Sequence, residues 1–303
     1  MPSKLEKLVD EFADDHESTG KRNHQTMANY RHYLRRFLQT TQAAAPAHIT
    51  AAAVKRFRQS LQQRRPSGRL QASTVNYHLT ALRSFVKYLQ RRGVPTIAPA
   101  SITLQPLPVR TVTTVETPGL NRLLNFPHKL DGRPVLQYRD RAILELLSAA
   151  GLRVGEVSRL QRDSLTASGS ELAVYGRGGK LRLVPLTQQA RYWISQYLKL
   201  RRDDAPQLFV RHDPASHHSL RETNASRAAT PTGLTPRSMQ RLMKKYALAA
   251  GLGAKVQPRT LRHTVAVNLL AAGNDLEAVR QRLGHTSVAS TKIYLRQKNR
   301  RND

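Results

Sequence analysis

The sequence predicts a mainly α-helical protein in two parts. An N-terminal four-helix basic bundle is followed by a mainly helical domain with one small antiparallel β-sheet. Three observations predict this. Apolar residues recur at helical spacing through most of the chain. A Pro-, Thr- and Val-rich stretch over 93–118 interrupts that pattern about a third of the way along. A pair of short apolar segments, joined by a Gly-rich turn, lies within 172–186.

A first helix is expected over 3–17. Residues 23–39 place Met27, Tyr30, Leu34, Phe37 and Leu38 on one stripe, with Arg31 and Arg35 off it. Thr50 can cap a helix whose Val54, Phe57 and Leu61 face inward, with Lys55, Arg56 and Arg58 between them. Ser73 or Thr74 is the expected cap of a fourth helix, with Val75, Leu79, Leu82, Val86 and Leu89 inward and Arg83 and Lys87 on its basic side. Pro95, Pro99, Pro106 and Pro108, with Pro118 beyond, read as an extended linker. The domain boundary is placed near residue 108, giving domains over 1–108 and 109–303.

In the second domain, helical patterns cover about 116–125 and 135–150, and Gly151 is placed to end the latter. LAVYG (172–176) and LRLVPL (181–186) read as a hairpin across Arg177-Gly178-Gly179-Lys180. A helix around Trp193, Ile194, Tyr197 and Leu198 follows, then a polar loop over 212–233. Thr235-Pro236 opens a helix that ends at Gly251, and Pro258 opens another to about Ala272. Asn274 or Asp275 caps a short helix that stops at Gly284, and a last helix is expected to carry Tyr294.

Charge narrows the function. The chain has 50 Lys+Arg against 20 Asp+Glu, a formal +30. A polyanion is the natural partner of such a protein. The charge is uneven: the six acidic residues of the N-terminal third lie within 1–17, and 18–115 holds 16 Lys+Arg and no carboxylate. Self-repulsion makes that segment costly unless an anion neutralises it. The chain has no Cys, which excludes disulfides, thiolate metal sites and a Cys nucleophile. No stretch approaches the roughly 18 apolar residues of a membrane span, and the N-terminus lacks a signal-peptide core. The expectation is a soluble, intracellular protein acting on DNA or RNA.

Few single motifs carry chemistry alone. Arg259, Arg262 and His263 fall at i, i+3 and i+4 of one helix, hence on one face. Such a face either binds phosphate or is simply solvated. Arg153 follows the helix-ending Gly151, and Glu156 is placed to hold its guanidinium. GRGGK (176–180) fails the phosphate-loop pattern and fits a hairpin turn better. The histidines show no metal-ligand spacing, so no metal or cofactor is expected.

Together these pieces are more specific. AAGLRVGEVSRL, GRGGKLRLVPL, PRTLRHTVAVNLLAAG and LGHTSVASTKIYLR occur in that order. In this the chain resembles the tyrosine recombinases, also called the phage integrase family, and most closely the Xer-like members. TMANYRHYLRRFLQ and STVNYHLTALRSFVKYLQ resemble parts of the family's helical, SAM-like core-binding domain. The resemblance implies that Arg153 and Arg262 are the two catalytic arginines, His285 the third-motif histidine and Tyr294 the nucleophile. It implies site-specific recombination of duplex DNA through a 3′-phosphotyrosine, by a homo- or hetero-tetramer on two sites. It also implies a cytoplasmic, nucleoid-associated location.

The residue types suit that reaction. Arginines can clamp the non-bridging oxygens of an attacked phosphodiester. Tyrosine, with a pKa near 10, needs a positive site and a proton acceptor. The leaving 5′-oxygen needs a general acid, which the family takes from a hairpin lysine. Two positions depart from the family pattern. Arg259 stands where a histidine is usual, and arginine cannot accept a proton; His285, His263 or water is left to do so. Arg177 stands where the lysine is usual, so Lys180 is the favoured acid and Arg177 a possible DNA contact. Arg31, Arg35, Lys55, Arg56, Arg58, Arg83 and Lys87 are the expected DNA contacts of the first domain. Only LRQKNRRND follows Tyr294, so exchange of a C-terminal tail between subunits is expected to be reduced. A non-cutting DNA-binding relative and a type IB topoisomerase-like nicking-closing enzyme are the alternatives.

Overall fold

In a computed structural model, the described residues are 3–20, 23–63, 68–108, 112–130, 132–176, 179–212 and 233–295. The expected polar loop over 212–233 lies almost wholly outside them, as does the tail after Leu295. The chain divides into two compact units, Met1–Val109 and Arg110–Asp303.

The first unit packs α1 (Lys4–Ser18), α2 (His24–Thr41), α3 (Ala51–Gln62) and α4 (Ala72–Arg91) around one core. Side-chain caps start three of them. Ser3 and Glu6 form a capping box, Asn23 Oδ1 accepts from the Thr26 amide, and Thr50 Oγ1 accepts from the Ala53 amide. The fourth start differs from the expectation. Gln71, not Ser73 or Thr74, is the N-cap of α4, and it makes no side-chain cap. The apolar stripes read from the sequence are all buried, and aromatic edges join the helices: Phe12 meets Phe85 at 5.5 Å and Phe37 meets Phe57 at 5.2 Å between centroids.

The fold also corrects the charge picture. The acidic residues of α1 lie against the arginines of α2. Arg31 pairs with Asp10, Asp14 and Glu17, and Arg35 with Asp10. Arg92 at the end of α4 pairs with Glu11 at 2.6 Å. The acid-free segment is therefore neutralised in part from within. Arg58 and Arg83 are also engaged, donating to the Thr103 and Ile102 carbonyls. Lys55, Arg56 and Lys87 remain exposed.

Those carbonyls belong to the Pro-rich stretch, which is docked rather than free up to residue 105. Ile102 is fully buried in the helical core. Asn76 donates to the Gln105 carbonyl and accepts from the Gln105 amide, both at 2.8 Å.

The second unit is mainly helical with a two-stranded sheet. It contains α5 (Thr117–Asn125), α6 (Pro134–Glu145), α7 (Val154–Val157), α8 (Gln188–Leu200), α9 (Pro236–Ala249), α10 (Pro258–Ala271), α11 (Leu276–Leu283) and α12 (Ala289–Lys292). Strands β1 (Glu171–Tyr175) and β2 (Leu181–Pro185) pair antiparallel, with Ala173 opposite Leu183. Leu172, Val174 and Val184 turn inward, and α8 supplies Ile194 and Tyr197 to the same core. Thr235 and Asp275 cap α9 and α11 through their side chains.

Helix α6 does not end as a plain α-helix. It runs into a π turn over Leu146–Ala150 and stops at Gly151 with φ of +63°. A Cβ at Gly151 would stand 2.9 Å from Leu283 Cδ2 and 3.3 Å from Val265 Cγ1. Only glycine satisfies both the left-handed turn and the close approach.

The docked stretch gives a direct test. Asn76→Ala removes two hydrogen bonds that fix Gln105, and is expected to cost about 1–3 kcal/mol in urea unfolding. Protease cutting over 98–108 should accelerate in parallel. Unchanged cutting would show that the stretch is held by something other than Asn76.

Candidate active site

The turn after α6 aims the first arginine. Gly151 reverses the chain, and Arg153 becomes the N-cap of α7 with extended backbone. Its amide donates to Glu156 Oε2 at 2.8 Å and its Nη1 to Oε1 at 2.9 Å. Glu156 is 4% exposed and also receives Arg182 from β2, Nη1 at 3.2 Å and Nη2 at 3.1 Å. Burial pushes the Glu156 carboxyl up. Hydrogen bonds and charge from Arg182 and Arg153 outweigh this and hold it below its ordinary value. One buried carboxylate thus fixes two guanidinium groups. Arg182 was not foreseen as a site residue, because a strand arginine two positions after Lys180 gives no sign of its partner.

Arg262 comes from α10 and is 6% exposed. It donates Nη1 to the Gly151 carbonyl at 2.8 Å and Nη2 to the Leu283 carbonyl at 2.6 Å. Burial, then the neighbouring Arg153, pushes it down to about 10, so it stays charged at neutral pH. Arg153 also reaches the Gly284 carbonyl, at 3.3 Å from Nη2. Gly284 ends α11 with φ of +65°, and a Cβ there would stand 2.7 Å from Arg182 Nη1. Both glycines therefore shape the arginine cluster.

The expected last helix is shorter than its pattern. α12 stops at Lys292, and Tyr294 sits in the turn beyond it, its amide donating to the Thr291 carbonyl at 3.0 Å. The segment is rich in Ser, Thr, Val and Ile, which are poor at extending a helix. Leaving the helix lets the Tyr294 ring enter a small apolar cluster with Val265, Leu270 and Leu283. Tyr294 is 2% exposed. Burial pushes its pKa up, and Arg262 and Arg153 act in the opposite direction.

Two histidines flank this tyrosine. His263 Nδ1 lies 3.0 Å from Tyr294 Oη. His285, next to the αL turn at Gly284, faces Thr291 Oγ1 at 2.8 Å through its own Nδ1. Burial, then Arg262 and Arg153, pushes His285 down to about 4. His263 is also held below its ordinary value, by burial and then by Arg259 and Arg262. Both rings are neutral at pH 7.

These side chains line one cleft of about 810 Å³, with Arg153, Arg259, Arg262, His263, His285 and Tyr294 in its wall. α9 adds Arg237, Arg241 and Lys244, which sequence reading passed over. Their i, i+4, i+7 spacing was the available signal. No carboxylate lines the cleft among the described residues. Arginine nitrogens donate and do not accept, so this wall is built to hold an anion. Lys180 is exposed where the chain enters β2 and does not line the cleft. Arg177 lies outside the described residues.

The buried carboxylate can be tested by stability. Glu156→Ala leaves Arg182 buried without its partner, and is expected to cost about 3–5 kcal/mol at pH 7. Because the folded carboxyl lies below its ordinary 4.5, this stabilisation is complete above that pH and is lost as pH falls through the folded value. The gap to wild type in denaturant titrations should therefore close in acid. A gap that persists at pH 2 would assign the loss to packing instead.

Comparison with known proteins gives the same picture. Residues 114–301 match the phage integrase family, and residues 8–96 match the phage integrase N-terminal SAM-like domain. Tyrosine recombinase XerD of Chlorobaculum tepidum is 32% identical over 272 residues, covering 89% of this chain and 84% of that protein. Tyrosine recombinase XerC of Vibrio cholerae is 32% identical over 270 residues, covering 89% and 81%. Among solved structures, a lambda integrase dimer bound to a COC′ core site is similar in fold, with a TM-score of 0.69 at 15% identity over 96% of this chain and 76% of that one. A XerH recombinase bound to its difH substrate is also similar, with a TM-score of 0.66 at 19% identity over 88% and 75%. Extent of match, fold and the order of the motifs agree: this chain belongs to the phage integrase family and is a tyrosine site-specific recombinase.

Proposed function

We propose that this protein cuts and rejoins duplex DNA with Tyr294 as nucleophile, and that its cleft holds the scissile phosphate. The observation that carries the reading is the meeting of Tyr294 with Arg153, Arg259 and Arg262 in one cleft that, among the described residues, has no lining carboxylate. Tyr294 Oη attacks phosphorus, the bond to the 5′-oxygen breaks, and a 3′-phosphotyrosine forms. The 5′-hydroxyl of another strand then attacks that linkage and releases the tyrosine. The phosphodiester bond energy is kept in the intermediate, so the exchange itself needs no external energy source.

Each neighbour takes a role. Arg153 and Arg262 donate to the non-bridging oxygens as charge builds on them, from positions already fixed by Glu156 and by backbone carbonyls. Arg259 is a third donor from the cleft wall. His285, kept neutral and set by Thr291, offers its Nε2–H to the same oxygens. Lys180 gives a proton to the leaving 5′-oxygen, and Arg177 contacts DNA. Arg237, Arg241 and Lys244 neutralise neighbouring phosphates.

The domains over 1–108 and 109–303 both contact the duplex, the first through Lys55, Arg56 and Lys87. Arg31 and Arg35 join them only by giving up part of their pairing with α1, while Arg58 and Arg83 serve mainly to hold the docked stretch. Four copies on two DNA sites give the strand exchange its symmetry, and the bacterial nucleoid is the natural place of action. Binding weakens steeply with salt, because each neutralised phosphate releases counterions.

Covalent capture tests the reading. The protein is incubated with fragmented host DNA in excess EDTA, denatured in SDS, and the attached DNA is sequenced. Wild type is expected to give adducts at a defined site and Tyr294→Phe none. Tight DNA binding without any adduct would mean a binding protein, and relaxation of supercoils without recombinants a nicking-closing enzyme. On the recovered site, Lys180→Ala is expected to slow cleavage by about 10²-fold or more. Sulfur in place of the bridging 5′-oxygen should restore it, since a thiolate leaves without protonation. If Arg177→Ala shows that pattern and Lys180→Ala does not, the acid is Arg177's position.

A further inference from the structure

We propose that His263 takes the proton from Tyr294 during cleavage and returns it during rejoining. The proposal rests on the reading of Tyr294 as nucleophile and adds the missing acceptor. Arg259 occupies the place where a histidine is usual, and a guanidinium offers no lone pair. His263 lies four residues on, one turn along the same face of α10. Its Nδ1 stands 3.0 Å from Tyr294 Oη, a hydrogen-bond distance for direct transfer. His285 is placed differently. Its ring lies nearly parallel to that of Tyr294 at 6.2 Å between centroids, and its Nδ1 is taken by Thr291. No carboxylate in the cleft wall competes for the proton among the described residues.

The surroundings keep His263 ready to accept. Arg259 and Arg262 face it from its own helix, His285 from the loop after α11, and Tyr294 from the turn after α12. Apart from the tyrosine, these groups are cationic or neutral, and with burial they favour the uncharged ring. With Nδ1 accepting from Tyr294, the ring proton sits on Nε2.

The step balances without a co-reactant. As the Oη–phosphorus bond forms, the Oη proton passes to His263 Nδ1 and gives an imidazolium. The bond from phosphorus to the 5′-oxygen breaks, and that oxygen is protonated by the general acid. In rejoining, the incoming 5′-hydroxyl gives up its proton to the general acid's amine. The Oη–phosphorus bond breaks, and the imidazolium returns its proton to Oη.

The test uses the full chain and a nicked duplex bearing the captured site, so that cleavage is irreversible and its single-turnover rate is read directly. His263→Ala and His263→Gln are expected to cleave about 10²-fold more slowly, with DNA affinity retained. Wild-type cleavage should fall as pH drops through the titration of His263, and His263→Gln should lose that limb. Added imidazole should restore His263→Ala in proportion to its free-base concentration, because the vacated place opens on the cleft. Cleavage by both variants within about threefold of wild type would overturn the proposal, being far below the usual contribution of a general base. So would slow cleavage that keeps the acid limb and ignores imidazole, which would assign His263 a packing role. Tyr294→Phe separates the two readings. Adducts from that variant would sink the nucleophile assignment itself. Adducts from wild type alone, beside an active His263→Ala, would sink only the acceptor.

Discussion

The candidate active site is organised around one buried carboxylate. Glu156 holds Arg153 beside it and Arg182 from the hairpin, next to a cleft whose wall carries several cations and, among the described residues, no carboxylate. A buried, unpaired carboxylate would cost several kcal/mol, and so would the mostly buried Arg182 guanidinium without it, while Arg153 is exposed enough for solvent to screen it. The hairpin base, the start of α7 and the arginine clamp therefore form as one unit. Position follows from that coupling. Arg182 is pinned, and Lys180 lies two residues before it, just ahead of β2, so the proposed acid is tied through backbone to the clamp it must serve.

Glu156 alone does not balance the site. Among the described residues Arg262 has no carboxylate partner and is held by the carbonyls of Gly151 and Leu283, while Arg153 adds the Gly284 carbonyl. These oxygens end α6 with its π turn and α11. Helix C-termini carry partial negative charge, so two helix ends supply the counter-charge that acids would otherwise give. Partial charges compensate incompletely. Arg262 is pushed down to about 10, by burial first and then by the neighbouring Arg153. On the proposed reading, a phosphate entering the cleft would offset the repulsion between Arg153 and Arg262. A carboxylate in the same place would have satisfied the arginines permanently and closed the site to its substrate.

Much of this was legible in the sequence, and the boundary is physical. Helices were readable because their apolar stripes are local and periodic. Arg153, Arg262, His285 and Tyr294 could be picked out as candidates because their motifs keep their order. The hydrogen bonds that hold these side chains join residues far apart. Arg182 meets Glu156 across 26 positions, and Arg262 meets Gly151 across 111. No local pattern encodes such pairs. The same blindness made 18–115 look uncompensated, when Arg31 and Arg35 pair back to α1. The π turn and the exit of Tyr294 from α12 were hidden for another reason. Both depart from a regular helix in answer to tertiary packing, which overrides propensity.

The arginine at 259 is best understood together with the histidine one turn on. A histidine there could both donate to phosphate and accept from tyrosine, but each role wants a different protonation state. Dividing the roles removes the conflict. On the proposed reading, Arg259 serves the phosphate as a donor with no lone pair to accept a proton. His263, half-buried behind it, must be neutral to serve the tyrosine. A bound phosphate pulls any nearby imidazole toward protonation, which would disarm the acceptor when it is needed. Burial first, and then Arg259 and Arg262, oppose that pull by holding His263 below its ordinary value. On the proposed reading, the substitution strengthens the anion site and protects the neutral ring by the same charge.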